Sequence, residues 1–365
     1  MGIQQLSVSA PGRICLFGEH QDYLGLAVIT AAINLRISIT GKRRADRQFY
    51  LDLPDIGSQE KIDFAQPIQY LTERDYFRSS LNVLLRQNVT FPCGYNCTVR
   101  GNIPINSGTS SSSALVIAWI KFLLTIAADK RQNDAYEIAR LAHQAEVLEF
   151  NEPGGMMDHF AASFGSILYI DFSIKDGRQT PLSAKLGHFV LGDSGQPKDT
   201  TGMLVRVKRG TLQAMEVLSH KNNKLNIHTI TVEDLESYKK FLLKEQVELL
   251  NANIINRELT RQAKKLLQQK QVDHQKLGAL LNAHQTELRD RLQISTPKID
   301  RMIDAALTAG AVGAKINGSG GGGCMFAYAP ENYEQIAEAI AQEGGKPYII
   351  QVDNGAVIES TGNLK

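Results

Sequence analysis

The chain's densest run of anion-binding chemistry is Pro104-Ile105-Asn106-Ser107-Gly108-Thr109-Ser110-Ser111-Ser112-Ser113-Ala114. Small residues and hydroxyls just ahead of an apolar helix leave backbone N–H groups unpaired, and the helix dipole adds partial positive charge. Phosphates bind at such ends. A serine-rich run also describes a flexible linker. Its flanks argue otherwise: an expected strand over 95–99, and an expected core helix over 114–128 that is apolar almost all round. A second cluster, Glu19-His20-Gln21-Asp22, follows the apolar run 14–17 and Gly18. In a turn between strands these are ordinary solvated groups, but they also suit a polyol, because each accepts from or donates to hydroxyls in fixed directions. A third stretch, Asn317-Gly318-Ser319-Gly320-Gly321-Gly322-Gly323-Cys324, lies between two short apolar strands. It reads as a tight loop whose backbone approaches something closely, either phosphates or the first serine run.

Those groups need elements to hold them. Residues 6–9 and 14–17 read as short strands, 27–33 as a longer one, and 35–40 continues the extended character. Residues 76–85 and 133–150 read as helices, the second with Ile138, Leu141, Ala142 and Ala145 on its apolar face and Glu146 near its end. Pro153-Gly154-Gly155 turns into a short helix ahead of a strand at 166–172. A change of character between 175 and 187 suggests two domains, 1–182 and 183–365. In the second, 232–292 reads as helical with a break near Val272, and 297–309 and 333–342 as further helices. Strands are expected at 189–193, 311–316, 325–328, 347–352 and 355–359. Residues 41–75 carry no recognisable chemistry. Helices and strands alternate without a regular βαβ rhythm, which favours α+β.

Composition narrows the partners. Lys+Arg 40 against Asp+Glu 38 leaves a net charge of +2, which offers no general attraction for nucleic acid or a membrane surface. Cys15, Cys93, Cys97 and Cys324 make no disulfide framework, and no second Cys or His pair follows Cys93 and Cys97 at zinc spacing. The N-terminus shows no basic start or apolar run of a secretory signal, so a cytoplasmic location is expected.

Several nucleotide motifs are missing. There is no G-x-x-x-x-G-K-[ST] run, no protein-kinase set, and no helix opening after the glycine stretch as a dinucleotide fingerprint requires. Instead, three separated stretches resemble the GHMP kinases, and the galactokinases among them, in the family's order. Pro11 to Gly25 resembles G-R-x-x-x-x-G-E-H-x-D-Y, Pro104 to Ala114 resembles the phosphate loop P-x-x-x-G-L-S-S-S-A, and Ala314 to Cys324 resembles the third motif. Gly155-Met156-Met157-Asp158 resembles the galactokinase G-[IM]-M-D segment.

The resemblance implies a two-domain GHMP kinase fold: a ribosomal-protein-S5-like N-terminal domain, a ferredoxin-like C-terminal domain, and the active site between them. It implies ATP as phosphoryl donor, Mg²⁺, and a small-molecule alcohol as acceptor, a sugar phosphorylated at its anomeric hydroxyl. On the matching positions, Asp158 and Arg13 would be catalytic. Glu19, His20, Gln21, Asp22 and Gly155 would bind the acceptor. Asn106, Ser107, Gly108, Thr109, Ser110, Ser111 and Ser112 would wrap the phosphates, and Ser112 and Glu146 would hold the metal. Cys15, Gln21 and His159 depart from the galactokinase pattern, which usually has Asn, Thr and Gln there, and the Tyr-x-x-Arg-Arg segment has no clear counterpart. Residues 10–20 also read like the mevalonate kinase start, A-P-G-K-x-x-L-F-G-E-H. Mevalonate kinase, kinases for a uronic acid, arabinose or a heptose phosphate, and a non-catalytic sugar and ATP sensor are therefore the alternatives.

Overall fold

The computed structural model describes residues 3–105, 107–175, 177–197 and 200–362. Its strands are β1 (Gln5–Phe17), β2 (Val28–Arg43), β3 (Gln48–Leu53), β4 (Ser58–Asp63), β5 (Tyr95–Gly101), β6 (Ile167–Asp171), β7 (Arg178–Leu182), β8 (His188–Asp193), β9 (Gly313–Ile316), β10 (Cys324–Tyr328), β11 (Lys346–Gln351) and β12 (Val357–Gly362). The α-helices are α1 (Tyr76–Arg86), α2 (Ser111–Ile126), α3 (Ala135–Glu146), α4 (Met157–Phe164), α5 (Thr200–Lys221), α6 (Val232–Tyr238), α7 (Lys244–Leu267), α8 (His274–Thr286), α9 (Pro297–Thr308) and α10 (Tyr333–Gln342). They build two sheets. The larger runs β12-β1-β2-β5-β3-β4, with β6 also on β2 and β7 on β6; the smaller is β11-β8-β10-β9. The mixed α and β content is as expected; the division of the strands into two sheets is what the structure adds.

Leu182 ends β7 in the first sheet and His188 opens β8 in the second, so the chain changes sheet across the expected boundary. The last strand crosses back. β12 lies antiparallel to β1, with Leu6 opposite Thr361. A shared apolar cluster joins the halves, bringing Ile14, Phe17 and Ile29 from the first sheet against Phe189, Phe326 and Tyr328 from the second. The four cysteines are buried and no disulfide joins them.

The two short strands expected at 6–9 and 14–17 are one strand, β1, with register shifts at Pro11/Arg13 and Cys15/Phe17. A bulge re-aims side chains and lets the strand bend. Pro11 lies beyond the last β12 pair at Ser9, so its missing N–H breaks no ladder bond on that side. The core helix also begins earlier than expected. α2 starts at Ser111 rather than 114, because Ser110 turns left-handed at φ 59° and its carbonyl accepts from Ala114. The serine run is thus both loop and first helical turn. Val116, Ile117, Trp119, Ile120, Phe122, Leu123 and Leu124 are all fully buried, which anchors that turn rigidly. α5 was not expected at all. Its fully buried apolar residues, Val207, Ala214 and Leu218, form a stripe too thin for periodicity to single out.

One buried ion pair ties the halves together. Lys315 on β9 is fully buried and donates to the Glu19 carboxylate, to Cys15 O (3.0 Å) and to Ile316 O (2.8 Å). Glu19 Oε2 has no hydrogen-bond partner and lies 3.7 Å from His284 Nε2. Removing one partner of such a pair leaves an uncompensated buried charge. Lys315→Met should lower the unfolding free energy by about 3–5 kcal/mol in a urea titration, and Glu19→Gln in that background should restore part of it. A single-variant loss well below about 1 kcal/mol would deny the pair this role.

Candidate active site

Arg13 leaves the β1 bulge and meets Asp158 in the first turn of α4. Nε donates to Oδ1 at 2.7 Å and Nη2 to Oδ2 at 2.8 Å, a two-pronged fork. The third arm, Nη1, donates to Gly108 O in the serine run. Ser110 donates its hydroxyl to Asp158 Oδ2 at 2.5 Å, freed to do so because it makes no side-chain cap on α2. Burial works against the Asp158 charge, but the Arg13 guanidinium and the Ser110 hydroxyl outweigh it and hold the carboxyl below its usual range. A carboxylate so held is ionised at neutral pH and is a weak base.

Asp22 closes in from the other side. An added Cβ on Gly155 would stand 2.0 Å from Asp22 Oδ2, so only glycine lets the 153–155 turn lie against that carboxylate. The Met157 and Tyr23 backbone N–H groups also bond it. Burial first, and then the neighbouring Asp158 charge, push the Asp22 carboxyl up to about 6. His20, in a left-handed conformation at φ 62°, contacts Ser319 O through Nε2 (3.0 Å) and Tyr23 Oη through Nδ1 (2.8 Å). A carbonyl can only accept, so Nε2 carries the proton and Nδ1 accepts from the tyrosine. Lys208 of α5 stands 5.3 Å over the Tyr23 ring and donates to Pro153 O (3.3 Å).

The serine run supplies the second wall. The N–H groups of the first turn of α2 have no acceptor within the helix. The glycine loop at 318–323 backs this turn: φ is 82°, 81°, 73°, 127° and 76° at Gly318, Gly320, Gly321, Gly322 and Gly323, values L side chains avoid. Cys324 N donates to Ser107 O (2.7 Å) and Asn317 Nδ2 to Gly108 O (2.8 Å). The loop therefore braces the cradle's main chain. Glu146, at the end of α3, is buried with its Oε2 2.8 Å from His159 Nε2.

These groups share a cavity of about 490 Å³ lined by Arg13, Asp158, Asp22, His20, Gly155, Ser107, Gly108, Ser110, Ser111, Ser112 and Glu146. Not every expected site residue joins them. Gln21 is fully buried, donates to Asn253 O of α7 (2.9 Å) and lies outside the cavity lining, so the structure does not bring it together with the other expected acceptor-binding residues. Glu19 reaches the cavity wall but is 1% exposed, its carboxylate engaged by Lys315. Thr109 is fully buried with its hydroxyl against Ser107 (2.9 Å), outside the cavity lining. Asn106 lies outside the described residues. Tyr23, Leu204 and Ser319 line the cavity without having been expected there. Tyr23 sat inside a recognised motif, whereas nothing local marks a leucine on an unexpected helix.

Family profiles described as "GHMP kinases N terminal domain", "GHMP kinases C terminal" and "Galactokinase galactose-binding signature" match residues 75–166, 263–346 and 2–43. A mevalonate kinase of Thermococcus gammatolerans is 28% identical over 94% of this chain and 95% of its own length. A galactokinase of Mannheimia succiniciproducens is 26% identical over 96% of this chain and 92% of its own. The crystal structure of Lactococcus lactis galactokinase complexed with galactose superposes with a TM-score of 0.84 at 22% identity, covering 97% of this chain and 95% of that one. Methanococcus jannaschii mevalonate kinase superposes at 0.73 and 20% identity, covering 96% and 99%.

The Asp22 shift has a testable sign. Between the ordinary Asp pKa of about 3.9 and about 6 the folded chain keeps a proton that the unfolded chain has lost. The Asp22 contribution to stability is therefore present on the acid side and lost as pH rises through that window. Asp22→Asn should flatten this decline, measured by chemical denaturation at several pH values across the window. An equally steep decline in the variant would absolve Asp22.

Proposed function

The chain belongs to the GHMP kinases, phosphotransferases with an alcohol group as acceptor, and from that premise we propose that it is an ATP-dependent sugar kinase. Galactose or a related monosaccharide is the acceptor, its anomeric hydroxyl is phosphorylated, and the product is the sugar 1-phosphate. The observation that carries this reading is Asp22, a carboxylate facing the acceptor side of the cavity beside Asp158, with Gly155 pressed against it. Hydroxyls suit such a wall; a carboxylate substrate would meet two negative charges. The match to the galactose-binding signature over 2–43 supports the same reading.

Phosphoryl transfer asks for positioning and charge neutralisation more than covalent help. The open N–H groups at the start of α2, with the Ser111 and Ser112 hydroxyls, receive the ATP phosphates. Arg13 offsets charge on the transferring group while its fork holds Asp158 still. Asp158, too weak a base to deprotonate a sugar hydroxyl outright, orients that hydroxyl and takes its proton as the bond to phosphorus forms. Ser112 and Glu146 line one cavity and offer a hydroxyl and a carboxylate oxygen besides the one facing His159, a hard-oxygen set that fits Mg²⁺ keeping several waters. When bound, the ion neutralises phosphate charge.

A second reading, mevalonate kinase, is favoured by relatives such as the Thermococcus gammatolerans protein at 28% identity. An ADP-release assay over free sugars, sugar phosphates and mevalonate decides. Turnover on a galactose-type sugar is expected, and turnover on mevalonate alone would end the sugar reading. Asp158→Asn should cut kcat by about a thousandfold with ATP affinity kept; near-normal turnover would remove Asp158 from its assigned part.

A further inference from the structure

We propose that His159 is a positioning residue: its ring fixes the Glu146 carboxylate so that the second oxygen is aimed into the cavity as a metal ligand. The inference rests on the magnesium site proposed above. Glu146 is the last residue of α3 and is 7% exposed. The negative end of the helix dipole opposes a carboxylate there, and burial adds to the cost. A carboxylate in that place needs a donor. His159 supplies it, with Nε2 2.8 Å from Glu146 Oε2. The ring is 2% exposed, and its Nδ1 has no hydrogen-bond partner. Glu146 accepts, so Nε2 is the donor. The His143 ring meets the His159 ring edge-on at 5.2 Å, interplanar angle 85°.

The sequence neighbour of His159 gives the arrangement its use. Asp158 and His159 are consecutive in the first turn of α4, and residues one apart on a helix point about 100° away from each other. Asp158 turns to Arg13 and Ser110, while His159 turns to Glu146. One turn of one helix thus sets both the group that meets the acceptor and the oxygen offered to the ion. His159 stands where the resembled galactokinase pattern has Gln, and a Gln amide nitrogen reaches the place of Nε2. An Asn amide reaches only the place of Nδ1.

That difference in reach makes the test. Calorimetry of ADP binding, with Mg²⁺ titrated and with excess chelator, gives the metal's contribution to nucleotide affinity without turnover. His159→Asn should weaken the Mg²⁺ dependence by about 10- to 100-fold, with affinity for metal-free ADP unchanged. His159→Gln should restore it to within about threefold, a pattern that generic destabilisation does not produce. Glu146→Gln separates the two claims. If it leaves the Mg²⁺ dependence intact, the metal reading fails and takes this inference with it. If it weakens the dependence while His159→Asn does not, the magnesium site stands and His159 is only packing. Equal damage from Asn and Gln at 159 overturns the inference too, since reach would then be irrelevant.

Discussion

The guanidinium of Arg13 ties the two walls of the cavity to each other. Two arms grip Asp158 and the third grips the carbonyl of Gly108, so one planar cation joins the first turn of α4 to the serine run ahead of α2. Geometry of that kind requires Arg rather than Lys, because a fixed fork delivers several bonds at once. It also explains the surroundings. The β1 bulge aims the side chain, the left-handed Ser110 swings a hydroxyl onto the same carboxylate, and the α2 core anchors the serine turn against which the fork closes.

Negative charge is crowded on purpose around this cation. Asp158 is held ionised, and its charge helps push Asp22 up to about 6. Neighbouring carboxylates with pKa values driven apart do different work: one stays an acceptor, the other sits close to gaining a proton. Glu19, the third carboxylate of the region, is withdrawn from this competition by Lys315. Its buried pair closes the seam between the sheets just behind the site, so the site's shape depends on the domains staying together.

Much of this was legible in the residues. The serine run was readable as a turn into an apolar helix, because small residues at a helix N-terminus leave a local signature, and it opens α2 on the cavity wall. Tyr333–Gln342 folds as the helix its periodicity predicted, and the glycine loop meets the first cradle as its flanking strands suggested. What stayed hidden was long-range. Ser110 looked like one phosphate-binding hydroxyl among several, yet its partner is 48 residues away and its direction follows from a left-handed φ that no pattern encodes. Gln21 sat inside a recognised motif, but its direction is decided by α7, more than 200 residues later. α5, with Lys208, was invisible because its buried stripe is so thin.

The central claim is spatial: acceptor at Asp158, donor phosphates at the first turn of α2, Arg13 between them. A crystal structure with galactose and a non-hydrolysable ATP analogue tests it most directly. The account predicts the sugar's anomeric hydroxyl within about 3 Å of an Asp158 oxygen, with the analogue's phosphates on the Ser111 to Ser113 N–H groups. A nucleotide bound away from that turn, or a sugar whose anomeric hydroxyl points away from Asp158, would contradict it.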